Sequence, residues 1–217
     1  MAYIEQPISN NTRHLYLDEA CDTTFYGPHN RVIIGENGIS KAFILGMVKF
    51  AQPVFEIRQK VHRLCLEVGN DPYFADIPSI KKKQNKGNFY FHATDDVPEV
   101  RKLFYDYIKT LNCSFDAIVA RKHTDIYERK HNGKEAEFYA DLLSHLLSDK
   151  LQLGGKLVLN IASRGITTKN QNLQLAITKA IARHKRGNIN ETITTEIAFN
   201  VQNHLQEPLL NIADYFC

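Results

Sequence analysis

The 217-residue chain has no tryptophan, an absence that excludes nothing, and only four cysteines, Cys21, Cys65, Cys113 and Cys217, none in a C-x-x-C pair. Scattered cysteines give no disulfide framework, and the nine histidines show no ligand spacing with them, so no structural zinc site is expected. The opening "MAYIEQPISNNTRHLYL" lacks the basic-then-apolar layout of a signal peptide, so the expected location is a reduced cytoplasm. No segment approaches the ~18 apolar residues of a membrane helix, and no membrane partner is expected. Charge of one sign is also scarce: a net +3 is too small to argue for nucleic acid by itself. There is no G-x-S-x-G, no H-E-x-x-H and no internal repeat. "GENGISK" (35–41) places Ser before Lys, the reverse of a phosphate-binding loop.

What is present is ordinary globular material, 43% hydrophobic and 24% charged. "LYLDEACD" (15–22) starts as a buried strand, and "KAFILGMVKF" (41–50), "FYFHA" (89–93), "FDAIVA" (115–120), "KLVLNIA" (156–162) and "TITTEIAFNVQ" (192–202) read as further strands. Helical spacing predicts helices from Pro53, from Pro98 with Asp96 as its cap, over 135–151, over 170–186, and from Pro208. "RKHTDIYERKHNGK" (121–134) reads as a charged loop. The order predicts one α/β domain over 1–217, a mixed sheet with helices on both faces, with loop insertions at about 22–40 and 69–88. The apolar face of the last helix is still running at Cys217, so that helix is expected to be truncated.

Asp18 and Glu19 are poor strand formers at the end of an apolar strand, and costly there unless solvent, a basic side chain or a divalent metal meets them. Successive strand residues face opposite ways, so one of the two, without a bulge, joins any given site. On the last helix Glu207, Asn211 and Asp214 form a polar stripe, opposite a docking face of Leu209, Ile212, Ala213 and Phe216. Two carboxylates brought together there repel unless a cation lies between them, and Mg²⁺ is typically held by one or two carboxylates with substrate phosphates completing the shell. That chemistry suits phosphodiester cleavage. The plain alternative is a strand end and a solvated helix residue. His92, beside Asp95 and Asp96, suits a general acid, a substrate contact or a satisfied strand histidine. Lys122, with Arg121, and Ser163 with Arg164 suit phosphate contacts or strand-end polarity. Lys81–Lys83 with Lys86, and the basic run 183–186, could grip a nucleic-acid backbone or simply be solvated.

"YLDEACDTTF" resembles the "YxDESGDT" opening of a large bacterial family, domain of unknown function 3800, grouped with the ribonuclease-H-like folds. "SKAFILGMV", "FYFHATDDVPEVRKLFY", "SFDAIVARK" and "LLNIADYF", the last similar to a closing "LQxADL", extend the resemblance over about Leu15–Cys217. It implies a ribonuclease-H-like domain in which Asp18 is the first-strand carboxylate, Glu19 its neighbour and Asp214 the carboxylate of the C-terminal helix. Ala20-Cys21 replaces Ser-Gly, and Asn160 stands where a middle strand usually supplies another acid. The expected function is a Mg²⁺- or Mn²⁺-dependent nuclease acting on DNA or RNA. Asp18, Glu19 and Asp214 would be catalytic, Asp18, Asp214 and Asn160 metal ligands, and His92, Lys122, Ser163 and Arg164 substrate contacts. The alternatives are a non-catalytic nucleic-acid-binding or protein-interaction module of a mobile element or defence system, its site decayed at Asn160, and an enzyme acting on another phosphorylated substrate. The nuclease reading requires the Asp18 strand to be central and the Asp18 and Asp214 oxygens to lie roughly 4–6 Å apart.

Overall fold

Leu15, Tyr16 and Leu17 are all buried, so the strand that carries them must be covered on both faces. The computed structural model describes residues 12–151, 154–163, 168–187 and 193–217. In it β1 (Thr12–Ala20) is the middle strand of five. On one side it pairs antiparallel with β2 (Ala42–Phe50), which pairs antiparallel with β3 (Cys113–Arg121). On the other it pairs parallel with β4 (Gly155–Ala162), which pairs parallel with β5 (Thr195–Gln202). The order β3-β2-β1-β4-β5 makes a mixed α/β sheet with helices on both faces, consistent with the ribonuclease-H-like arrangement.

One face of β1 presents Leu15 and Leu17 to a core completed by Leu143 and Leu147 of α5 (Glu135–Leu147) and by Leu173 and Ala176 of α6 (Asn170–Gly187). The other face presents Tyr16 to a second core. There α1 (Val54–Asn70) turns in Ile57, Val61, Leu64 and Val68, and α3 (Pro98–Ile108) turns in Val100, Phe104 and Ile108. Between these helices and the sheet lies α7 (Leu209–Phe216), with Leu209, Leu210, Ile212, Ala213 and Tyr215 buried. Leu209, Leu210 and Ile212 each contribute about 1.5–3 kcal/mol on leaving water, which is why so short a helix stays docked.

Three segments differ from the sequence reading. "FYFHA" is not a strand. Phe89 and Phe91 alternate inward as in a strand, but side chains rather than a ladder satisfy the backbone. Lys83 Nζ donates to the Tyr90 carbonyl, and the His92 and Ala93 amides donate to Asp96 and Asp214. The charged loop 121–134 contains a helix, α4 (Thr124–His131), whose few buried residues, Tyr127 and His131, leave little periodicity to read. The 69–88 insertion carries a short helix, α2 (Pro78–Gln84). Asp96 does not cap α3: its carboxylate turns inward to Lys83, the His92 amide and the Tyr215 hydroxyl.

Candidate metal centre

Strands β1, β4 and β5 run parallel, so their carboxyl ends share one edge of the sheet, where ligands of open α/β sheets gather. Asp18 and Glu19 are near the end of β1, Ser163 directly follows β4, and His204 lies two residues past β5. The docked α7 brings Asp214 to the same edge. A cleft of ≈ 460 Å³ opens there, lined among others by Asp18, Glu19, His92, Ser163, His204 and Asp214.

Asp18, His204 and Asp214 can each place a ligand atom within 4.8 Å of the other two. His204 Nε2 lies 2.8 Å from Asp18 Oδ2, and the Glu19 amide donates to Asp18 Oδ1 at 2.8 Å. Asp214 Oδ2 accepts the Ala93 amide at 2.6 Å, while its Oδ1 lies 3.9 Å from His92 Nε2. His92 Nδ1 is 3.6 Å from Asp95. Neighbouring groups hold these side chains in place. Asn211 Nδ2 donates to the His204 carbonyl at 3.0 Å and to the Pro208 carbonyl at 2.7 Å, fixing the turn before α7. Asp96, with no side-chain exposure, pins the 89–96 segment through Lys83 at 2.6 Å and Tyr215 at 2.7 Å. Glu207 takes Arg58 at 2.8 Å and the Leu209 amide at 3.1 Å, tying α7 to α1.

The charges are frustrated. Burial raises the Asp214 pKa. His92 and the Ala93 amide oppose that rise, and the Asp18 carboxylate adds to it. Burial pulls the His204 imidazole down, but the Asp18 hydrogen bond and the Asp18, Asp214 and Glu19 charges outweigh it and raise the pKa. Burial, then the same three carboxylates, pushes the Cys217 thiol well above its ordinary value.

Not every anticipated residue is here. Asp18 and Asp214 are brought together, and Glu19, His92 and Ser163 line the cleft. Asn160 does not: it pairs with Tyr16, so the β4 position level with Asp18 is Ala162, two residues on. Its amide donates to the Leu15 carbonyl at 3.2 Å and its oxygen accepts from Asn200 at 3.1 Å. Lys122 is not a phosphate contact either. Its side chain has no exposure, and Nζ is spent on Asp22 at 2.7 Å, the Thr24 carbonyl at 3.0 Å and Ser40 at 3.1 Å. Arg164 lies outside the described residues. Of Asp95, Asp96 and Glu207, the acids that could have stood in for the one missing at Asn160, Asp96 and Glu207 are held by Lys83 and Arg58, and Asp95 is half exposed beside His92 at 3.6 Å.

His204 was not anticipated. The signal available was its place just past a strand parallel to the Asp18 strand, ten residues before Asp214, but strand direction is not written in the sequence. Neither the family models nor the curated proteins searched contain a match to this chain.

Proposed function

We propose that the cleft at the carboxyl edge of the sheet holds a divalent cation and cleaves phosphodiester bonds of nucleic acid. The order of the sequence motifs supports placing the chain within the family of domain of unknown function 3800. The observation that carries the reading is the convergence of Asp18, from the central strand, and Asp214, from the last helix, on His204, with donor atoms within 4.8 Å. Ligands around one hard cation at ~2.0–2.1 Å stand roughly 3–4 Å apart, so a small side-chain movement closes the shell. Two carboxylates suit Mg²⁺ or Mn²⁺, and the added imidazole nitrogen favours Mn²⁺ of the two. A bound cation would supply Lewis-acid polarisation of a phosphoryl oxygen and of the attacking water.

The chain's own groups do the rest. The Ala93 amide fixes one Asp214 oxygen, and the Glu19 amide fixes one Asp18 oxygen, leaving the opposite oxygens turned to His92 and His204. His92, a third exposed, stands at the rim where it can carry a proton to or from a leaving oxygen. Ser163, at the end of β4, offers a hydroxyl to a phosphate oxygen. The test is incubation of the purified protein with single- and double-stranded DNA and RNA, with Mn²⁺, Mg²⁺ or EDTA. Cutting in Mn²⁺ that stops in EDTA and is lost in Asp18→Ala and Asp214→Ala is expected, with His204→Ala reducing Mn²⁺ affinity at least about tenfold by calorimetry. Cutting that persists in EDTA, or in Asp18→Ala, would overturn the reading.

A further inference from the structure

His204 has two sides. One faces the cleft, and the other forms part of a smaller cavity of ≈ 160 Å³ between the end of α1 and the 84–90 segment. Tyr90 stands in this cavity with its ring 5.8 Å from the His204 ring and 18° from parallel. Phe89, buried, closes it from within. Asn70, Gln84 and Asn88, each with a side-chain amide, are also among its lining residues. Gln84 is fixed in orientation by donating Nε2 to the Gly69 carbonyl.

The dimensions and chemistry narrow the occupant. The cavity is well under the roughly 300–1,000 Å³ of a drug-sized site, so it takes one small ring system. Among the described residues no lysine or arginine lines it, and Lys83 Nζ lies over the Phe89 and Tyr90 rings at 5.0 and 4.9 Å, so the lining favours an aromatic ring over a phosphate. Aromatic faces with amides that both donate and accept are what a nucleobase uses: a flat surface to stack on and polar edges to pair with. On its other flank Tyr90 lines a third hollow, shared with Lys82 and Lys86 of the 78–86 segment. Cleft, base-sized cavity and lysines thus follow one another across Tyr90 and His204. A base held in a duplex has to be unpaired and unstacked before it enters a side cavity, at a cost in free energy, whereas a base of a single strand enters without unpairing.

We propose that the cavity receives one unstacked base of a single-stranded nucleic acid. That base belongs to the nucleotide next to the phosphate in the cleft, with Tyr90 as the stacking platform and Lys82 and Lys86 holding the backbone beyond it. The inference rests on the phosphodiester-cleaving reading and narrows its substrate to a single strand.

Fluorescence anisotropy of short labelled oligonucleotides, in EDTA so that nothing is cut, tests it on the full chain. Single-stranded DNA and RNA are the two primary arms and matched duplexes the control. At least one single strand should bind about tenfold or more tighter than its duplex, and Tyr90→Ala should weaken it by about five- to hundredfold, the range for loss of one stacked base. Tyr90→Phe, which keeps the ring, should retain the affinity. Asn88→Ala, at the exposed rim, should weaken the single strand and not the duplex, and serves if Tyr90→Ala does not fold. Equal binding of duplex and single strand, no binding at all, or full affinity in both Tyr90→Ala and Asn88→Ala would overturn the proposal. Calorimetry of wild-type protein with Mn²⁺ separates the two readings. Tyr90-dependent strand binding without Mn²⁺ binding removes the metal centre and leaves the base cavity, and the reverse pattern removes the cavity alone.

Discussion

Lys122 shows how a residue's partners decide its role. Near a strand end a lysine has two futures, a water-facing phosphate contact or a buried ion pair. Here its ammonium is closed in by Asp22, Ser40 and the Thr24 carbonyl, and also lies 5.8 Å from the Phe25 ring centre. Burial works against the Asp22 carboxylate, yet hydrogen bonds from Lys122 and Ser40 hold its pKa far below the usual carboxylate range. Lys122→Met should therefore destabilise the protein by about 2–4 kcal/mol in urea unfolding, at or below the range for breaking a fully buried pair. The discount follows because the Asp22 side chain keeps 26% exposure. A variant as stable as the parent would return Lys122 to the list of free surface cations. Asn160 teaches the same lesson through register. Its amide looked able to fill a vacant carboxylate position, but a shift of two residues along β4 separates it from Asp18, and hydrogen bonds to Leu15 and Asn200 occupy it.

At the scale of elements, the fit of α7 against the sheet depends on one missing side chain. Gly46 of β2 is paired with Asp18, and a Cβ there would lie 2.5 Å from Cys217 Sγ and 2.6 Å from the Phe115 ring. Phe115 cannot step aside freely, since it stacks on Phe216 at 5.1 Å. Gly46→Ala should cost about 1–3 kcal/mol by overpacking and push the end of α7 outward. The expected readouts are a lower melting temperature and, because Asp214 rides on that helix, weaker Mn²⁺ binding by calorimetry. Unchanged values for both would mean the contact is loose. Elements of this kind were largely legible in the sequence: β1, β2, α1, α3 and α7 carry long apolar runs or clean helical stripes, and two carboxylates ending an apolar strand marked Asp18 as unusual. Illegible were features set by tertiary partners. "FYFHA" alternates like a strand but has no neighbour to pair with. The α4 helix buries only two side chains, and His204 joins the site only because β5 runs in the same direction as β1.

At the scale of the molecule, the helical layer on the far face shares a hydrophobic core and, among the described residues, also meets at one buried acid. Asp141 of α5, its side chain 7% exposed, accepts from Lys130 at 2.8 Å and Arg183 at 2.8 Å and meets His131 at 3.2 Å, so one carboxylate ties α4, α5 and α6 together. Burial alone would raise its pKa, but the cations outweigh it and bring the value down to about 2. The unfolded value is about 3.9, so the folded group is the stronger acid. Its contribution, on the order of 2–3 kcal/mol, is complete above about pH 4 and is lost as pH falls from there towards 2. Urea unfolding of wild type and Asp141→Asn should differ widely at pH 7 and converge near pH 2; a gap that does not change with pH would refute this account. The far-reaching contact between His204 and Asp18, 186 residues apart, has a consequence in time. At roughly 5–20 residues per second, translation needs roughly 10–40 s to pass from one to the other. A ribosome-bound chain thus carries its central strand, with an acidic end and no partner for it, long before any cleft exists. If the cleft cleaves polynucleotides as proposed, it cannot begin on the messenger from which it is being read until β5 and α7 have emerged.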